Sequence, residues 1–85
     1  MTSKERSILK GKAHHFRSKV IIGKKGLNSG TLKNIDLTLE SQGLIKIKFI
    51  EFKHDKKNIL KKIEQLSKSI LISITGNIAI LYRKK

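Results

Sequence analysis

Two glycines enclose two lysines in the segment Gly23-Lys24-Lys25-Gly26, which we call the GKKG loop. Glycine has no Cβ, so the main-chain N–H groups of such a loop can approach a phosphate closely, while the lysines supply positive charge. A helix is predicted just after the loop, and its unpaired N–H groups and positive dipole end also attract anions. The loop therefore predicts a phosphate-binding site, although glycines between a strand and a helix more often serve only to form the turn.

The chain is strongly basic, and its positive charge is densest around the GKKG loop. Twenty Lys and Arg face six Asp and Glu, a net charge of +14 over 85 residues. Residues 1–26 contain eight basic and one acidic residue, whereas residues 27–85 contain twelve and five. Such a charge predicts a polyanionic partner, because each neutralised phosphate releases counterions. A/T-rich codons are an alternative explanation for part of the lysine excess, but they do not explain why so few acids balance it.

Four further cations near the GKKG loop are candidates for the same binding surface. For each of them the alternative is an ordinary solvated helix face, since charged residues are usually exposed for solubility alone. The candidates are Lys10, Lys12, Arg17 and Lys19.

Residues that usually perform catalysis or hold metal ions are scarce and scattered. There is no Cys, which excludes disulfides and thiolate metal sites. His14 and His15 are adjacent, so on a helix they splay apart and chelate one ion poorly, and His54 is distant in the sequence. The acidic residues are isolated from one another, and no nucleophile–base pair or Walker-type loop is present. We therefore expect no enzyme activity, no metal, no cofactor and no small-molecule substrate.

Hydrophobic periodicity predicts seven elements in the order α-β-α-β-α-β-β. Ile45, Ile47 and Phe49 alternate with lysines, which is typical of a half-buried strand. The dipeptide Gly76-Asn77 predicts a two-residue hairpin turn between the last two strands. The expected fold is α/β, a four-stranded mixed sheet packed with helices in a single domain over residues 1–85. The predicted elements are a helix over 3–13, a buried strand over 19–22, a helix that begins near 29 and ends before 43, a strand over 44–52, a helix after 55, and strands over 70–75 and 78–83.

Residues with local capping chemistry mark the predicted helix ends. A side-chain oxygen just before a helix can accept one of its unpaired N–H groups, and a glycine just after it can adopt the left-handed conformation that ends it. The expected caps are Thr2 with Glu5 three residues later for the first helix, Asn28 or Ser29 and then Gly43 for the second, and Asp55 for the third.

Aromatic residues are too few, and too closely tied to the predicted strands, to form a base-stacking platform of the kind seen in RRM domains. Phe49 is expected in the core, and Tyr82 fits either the core or the surface. The four aromatic residues are Phe16, Phe49, Phe52 and Tyr82.

No segment predicts insertion into a membrane. The longest apolar run covers residues 78–82, far short of the roughly 20 residues that span a bilayer. The charged N-terminus is not followed by the apolar segment of a secretory signal. We expect no membrane association and a cytoplasmic location.

Several segments in register resemble the CRM domain (chloroplast RNA splicing and ribosome maturation), in its single-domain bacterial YhbY-like form. They are Leu9-Lys10-Gly11-Lys12-Ala13-His14, Val20-Ile21-Ile22 with the GKKG loop and Leu27, Leu44-Ile45-Lys46-Ile47-Lys48, and the ending Gly76-Asn77-Ile78-Ala79-Ile80-Leu81-Tyr82-Arg83. Where the family often has Pro after the first Ala-His and after the final Leu-Tyr-Arg, this chain has His15 and Lys84.

The resemblance implies a KH-like sheet fold, a GxxG loop that contacts RNA, and association with pre-ribosomal large-subunit particles. It makes Gly23, Lys24, Lys25 and Gly26 the RNA loop. The expected function is RNA binding, with ribosomal RNA or large-subunit precursors as the partner. A structural ribosome component or a protein-docking adaptor is the alternative, an RNA-modifying enzyme lacks any supporting feature, and DNA binding is disfavoured by the absence of a helix-turn-helix pattern. The oligomeric state is left open.

Overall fold

The structure, a computed structural model, describes residues 2–13, 15 and 20–84. Its elements follow the predicted order. Within the described residues, no helix is long and apolar enough to cross a membrane. The elements are α1 (Ser3–Ala13), β1 (Val20–Ile22), α2 (Ser29–Gln42), β2 (Leu44–Phe49), a short 3-10 turn (Lys53–Asp55), α3 (Lys56–Ser67), β3 (Ile70–Thr75) and β4 (Ile78–Tyr82).

The caps at the starts and ends of α1 and α2 largely match the prediction. The hydroxyl of Thr2 accepts the N–H of Glu5 at 3.1 Å, which confirms the cap of α1. Asn28, rather than Ser29, caps α2. Gly43 adopts φ 77° and ends α2 by donating its N–H to the carbonyl of Leu39.

The prediction that the side chain of Asp55 caps α3 is wrong. Asp55 stands at the position before α3, but its side chain makes no capping hydrogen bond. Its backbone has φ −99° and ψ 5°, not the extended conformation that directs a cap side chain back to the helix N–H groups. The preceding 3-10 turn, closed by the N–H of Asp55 donating to the carbonyl of Phe52, leads directly into the helix instead.

The four strands form one mixed sheet in the order β1-β2-β4-β3. β1 is parallel to β2, and β4 is antiparallel to both of its neighbours, β2 and β3. β1, β2 and β3 therefore run in the same direction and end at the same edge of the sheet, which we call the loop edge.

Helices α2 and α3 cover one face of the sheet. Both connections that contain these helices move along the sheet in the same direction, which places their helices on one face. The alternating residues Ile45, Ile47 and Phe49 all point to this face and are at most 1% exposed, as the pattern predicted. They pack with residues of the two helices and of the neighbouring strands: Ile22, Ile35, Leu39, Leu60, Ile63, Ala79 and Leu81.

Helix α1 covers part of the opposite face. Ala13 is fully buried there, and Leu9 packs against the same small cluster of Leu44, Ile72 and Ile80. Among the described residues, α1 therefore gives this face a partial cover.

Two strand predictions need correction. β1 is an edge strand rather than a buried one: Ile22 is fully buried, but Ile21 is 48% exposed because it points to the face that α1 covers only partly. β2 ends at Phe49 and not at residue 52. The chain bends there because the N–H groups of Ile50 and Glu51 both turn to the carbonyl of Ile22.

Candidate nucleic-acid interface

The connections that follow β1, β2 and β3 lie side by side at the loop edge. The N–H groups of Ile50 and Glu51 donate to the carbonyl of Ile22 at 3.0 and 3.2 Å, which joins the β2–α3 connection to the end of β1. The N–H of Phe49 donates to the carbonyl of Asn77 at 2.8 Å, which adds the β3–β4 turn. The β2–α3 connection and, through it, the β3–β4 turn thus hold the start of the GKKG loop in place.

The GKKG loop is a closed β-turn on the surface. The N–H of Gly26 donates to the carbonyl of Gly23 at 2.9 Å. Gly26 has a φ of +64°, a backbone conformation that residues other than glycine rarely adopt. Lys24 and Lys25 occupy the two central positions and are exposed, while both glycines are half-buried. The turn therefore presents both lysines to solvent. The Gly26 amide, however, is bonded within the turn and is not among the N–H groups left for a phosphate.

Helix α2 begins two residues after the GKKG loop. Leu27 packs against the larger core cluster and anchors this connection. The Oδ1 of Asn28 accepts the N–H of Thr31 at 2.9 Å and its hydroxyl at 3.2 Å. Ser29 and Gly30 are the first residues of α2, so their N–H groups have no carbonyl one turn earlier. The cap therefore leaves two N–H groups near the loop for an anion or for water.

The lysines of the GKKG loop form no ion pair with a carboxylate among the described residues. In the part of the chain that the structure describes, ion pairs are made only by Arg83, with Asp36 and Glu40. Glu51 and Asp55 lie in the neighbouring β2–α3 connection, but neither pairs with a loop lysine. The charge of Lys24 and Lys25 is thus available to an external anion.

Two more lysines, Lys53 and Lys56, lie at the loop edge together with His54. The Nζ of Lys56 donates to the carbonyl of Gly76 at 2.6 Å, which ties α3 to the β3–β4 turn. Lys53 and His54 are exposed in the 3-10 turn. Sequence reasoning assigned none of these three to the site, because their place at the loop edge depends on strand pairing.

Of the other predicted site residues, the structure describes Lys10 and Lys12, and neither lies at the GKKG loop. Lys10 is half-buried and Lys12 exposed on α1, which packs near Leu44 at the start of β2, whereas the loop leaves β1 opposite Phe49 at its end. At about 3.3 Å per residue, these two ends of β2 are roughly 16 Å apart. Their contact with RNA stays a prediction, and it would be a separate contact. The remaining residues singled out from the sequence lie outside the described residues: Arg17, Lys19, His14 and Phe16.

A groove of about 490 Å³ lies between the GKKG loop and α3, and we call it the loop–helix groove. Sequence reasoning missed it. The one signal in the sequence was the helical spacing of Ile59, Lys62 and Leu66, which places all three on one side of α3. The lining includes Lys25, Gly26, Phe52, Ile59, Lys62 and Leu66.

Phe52 is not part of a strand, contrary to the expectation. It has φ 57° and ψ 33°, a left-handed conformation, and it is 44% exposed. A Cβ built on Gly26 would lie 3.2 Å from its Cε2, so the ring lies directly against the GKKG loop. Of the other aromatic residues that the structure describes, Phe49 is in the core as predicted, and Tyr82 is half-buried against the small cluster that contains Ala13 and Leu44.

Residues 1–83 match the CRS1 / YhbY (CRM) domain family. The chain belongs to this family. "Probable RNA-binding protein YqeI" of Bacillus subtilis is 32% identical over 85 residues, which cover 99% of this chain and 88% of that protein. A Haemophilus influenzae protein named "RNA-binding protein" is 33% identical over 84 residues, with 98% and 85% covered. The solution structure of the hypothetical protein SAV1595 from Staphylococcus aureus has a TM-score of 0.82 at 31% identity, covering 100% of this chain and 90% of that one.

The resemblance read from the sequence is thus confirmed, and so is the fold class. In this CRM domain, the matched ending contains Arg83, which serves the fold. Its guanidinium donates to the Oδ1 of Asp36 at 2.6 Å and to the carbonyl of Ser67 at 2.9 Å. The arginine therefore joins the end of β4 to both α2 and α3.

The described residues of the CRM domain contain no group of three or more His, Asp or Glu side chains placed to hold a metal ion. What the loop edge offers chemically is instead a set of cations, main-chain N–H groups and one exposed aromatic ring.

Proposed function

We propose that this CRM domain binds RNA and holds its phosphate groups through the GKKG loop. The observation that carries the proposal is an exposed β-turn whose central residues, Lys24 and Lys25, have no ion-pair partner among the described residues. The names of the relatives from Bacillus subtilis and Haemophilus influenzae, which mention RNA binding, support it.

The proposed binding works through charge and main-chain geometry. Lys24 and Lys25 act as point charges on neighbouring phosphate oxygens, and the N–H groups of Ser29 and Gly30 add donors at the positive end of α2. Contacts of this kind position a nucleic acid strand but carry no sequence information. The GKKG loop therefore supplies affinity and orientation rather than base recognition.

For the partner, we propose ribosomal RNA in large-subunit precursors, in the cytoplasm. The support is the role that the family resemblance implies. Sedimentation of cell extracts on a sucrose gradient, followed by immunoblotting, tests this part. We expect enrichment in fractions that contain precursor particles. Stoichiometric presence on mature ribosomes would instead favour a structural component or adaptor.

The GKKG loop is tested by reversing its charge. We expect Lys24→Glu/Lys25→Glu to abolish binding of a labelled ribosomal RNA fragment in fluorescence anisotropy while the melting temperature changes little, because both side chains are exposed. The matched control is Lys57→Glu/Lys61→Glu, which changes the net charge equally on exposed positions of α3. Equal loss in both double variants would show that only total charge matters and would remove the loop from the proposal.

The salt dependence of binding measures how many phosphates the loop neutralises. For a single strand, the slope of log K against log salt is about −0.7 per neutralised phosphate, so Lys24→Ala/Lys25→Ala should reduce its magnitude by about 1.4. An unchanged slope would mean that neither lysine contacts a phosphate.

A further inference from the structure

Phe52 combines an unfavourable backbone conformation with an exposed aromatic side chain. Its φ of 57° lies in the left-handed region, where a bulky residue such as phenylalanine is less stable than glycine or asparagine. Residues held in such conformations cluster at functional sites, where the surrounding structure maintains them. Here the 3-10 turn and the hydrogen bonds of Ile50 and Glu51 to Ile22 hold the chain on both sides of the ring.

The ring of Phe52 lies next to the phosphate-binding position of the GKKG loop. A Cβ built on Gly26 would meet three consecutive ring atoms, Cε2, Cζ and Cδ2, at 3.2, 3.5 and 3.8 Å. The ring nevertheless remains 44% exposed, and Leu66, which lines the same loop–helix groove, is 64% exposed. Holding Gly26 in place does not require an exposed aromatic ring, since a buried aliphatic side chain would suffice.

The loop–helix groove combines an apolar surface with charges placed near it. Phe52, Ile59 and Leu66 supply the apolar surface, and Lys25 and Lys62 supply positive charge. Asp55 also lines the groove and makes no capping hydrogen bond. The apolar surface and this carboxylate disfavour a phosphate deep in the groove, whereas the exposed lysines of the GKKG loop favour one at the surface.

A nucleotide combines the same two features, an anionic phosphate and a flat base whose faces stack on apolar surface. We propose that Phe52 stacks on the base of an unpaired nucleotide whose phosphate is bound at the GKKG loop. The inference rests on the proposed function and deepens it: the preferred ligand is single-stranded RNA, or an unpaired nucleotide in a folded RNA, rather than continuous duplex. An aromatic ring accepts any base, so the contact selects for unpaired bases and not for one sequence.

A first experiment separates stacking on Phe52 from phosphate binding at the loop. The probes are a labelled oligouridylate and an oligomer of equal length in which every nucleotide is abasic, so that the phosphates remain and the bases are gone. Because stacking by one aromatic residue changes affinity by roughly 5- to 150-fold, we expect Phe52→Leu to weaken oligouridylate binding by at least about 5-fold. Binding of the abasic oligomer should stay unchanged, and Phe52→Tyr should bind both probes like the unaltered protein.

Two results overturn the inference. In the first, Phe52→Leu weakens the binding of both probes equally, which would make Phe52 a positioning residue for the loop. In the second, Phe52→Leu changes the binding of neither probe. The charge-reversal variant Lys24→Glu/Lys25→Glu should lose both probes. If it keeps the abasic oligomer, the proposed phosphate site fails, and that failure is distinct from any result at Phe52.

A second experiment observes the ring directly. The chain contains no Trp, so Phe52→Trp introduces a single emitting indole at the groove. We expect oligouridylate to quench its fluorescence, and the abasic oligomer, duplex RNA and polyglutamate to leave it nearly unchanged. The matched control is Leu37→Trp, which places the indole at a 57% exposed position of α2 that does not line the groove, and it should not be quenched.

Quenching of Phe52→Trp by polyglutamate to the same extent would assign the loop–helix groove to an acidic polypeptide and overturn the inference. Equal quenching by duplex RNA would overturn the preference for unpaired bases.

Discussion

Replacing Gly26 with Ala should destabilise the protein because two separate constraints act on this residue. Its φ of +64° costs about 1–2 kcal/mol for a residue with a Cβ, and the lower entropy of the unfolded Ala chain offsets roughly 0.4–1 kcal/mol of this. The new Cβ would also lie 3.2 Å from the Cε2 of Phe52, so the ring must move by a few tenths of an ångström. We expect the free energy of unfolding to fall by about 1–2 kcal/mol in total, and Tm by roughly 5–15 °C.

Two other glycines separate the two constraints. Gly76 has φ +59° and no described atom within 4 Å of the point where a Cβ would lie, so Gly76→Ala measures the backbone cost alone, about 1 kcal/mol or less. Gly23 lies outside the left-handed region and also has open space around that point, so Gly23→Ala should be neutral or slightly stabilising. The expected order of destabilisation is therefore Gly26→Ala, then Gly76→Ala, then Gly23→Ala.

The assay is urea unfolding followed by circular dichroism, with equal m-values required before free energies are compared. The double variant Gly26→Ala/Phe52→Ala tests the contact itself, because residues in contact show coupling energies of about 0.5 kcal/mol or more. If Gly23→Ala proves as destabilising as Gly26→Ala, the backbone argument is wrong. If the coupling to Phe52 is zero, the ring does not rest against the loop as the structure has it.

Two further predictions concern residues that hold the elements around the site. Asn28→Ala should lower the free energy of unfolding by about 1 kcal/mol through loss of the α2 cap, whereas Asn28→Ser should retain most of the stability that the cap contributes. If urea unfolding shows the Ser variant to be as unstable as the Ala variant, the capping role is contradicted. Arg83→Ala should cost about 2–3 kcal/mol, because it removes charge-assisted bonds to Asp36 and leaves the carbonyl of Ser67 without its donor. Arg83→Lys should recover only part of the loss in thermal unfolding, since an ammonium lacks the fork of a guanidinium, and full recovery would count against this geometry.

Much of the fold follows from interactions between residues that are close in the chain. The sequence alone determined this part of the fold. The alternation of Ile45, Ile47 and Phe49 specifies a strand with one buried face, because side chains of a strand point to opposite sides. Thr2 and Asn28 cap the starts of helices, and Gly43 caps the end of one, through hydrogen bonds that reach no more than four residues along the chain. The GKKG loop belongs to the same class, since a β-turn with lysines at its centre and a helix after it needs no distant partner.

The tertiary structure decided everything that depends on which distant segments become neighbours. Periodicity shows that Ile21 and Ile22 point to opposite sides, but only the strand order makes β1 an edge strand with Ile21 in solvent. Phe52 looks like the end of a strand in sequence, and it reaches Gly26 only because the β2–α3 connection bonds to the end of β1. Lys10 and Lys12 are closer to the GKKG loop in sequence than Phe52 is, yet α1 carries them toward the far end of the sheet. Proximity in sequence fixes local geometry through short-range bonds, whereas the composition of a surface depends on the packing of whole elements, which no local pattern encodes.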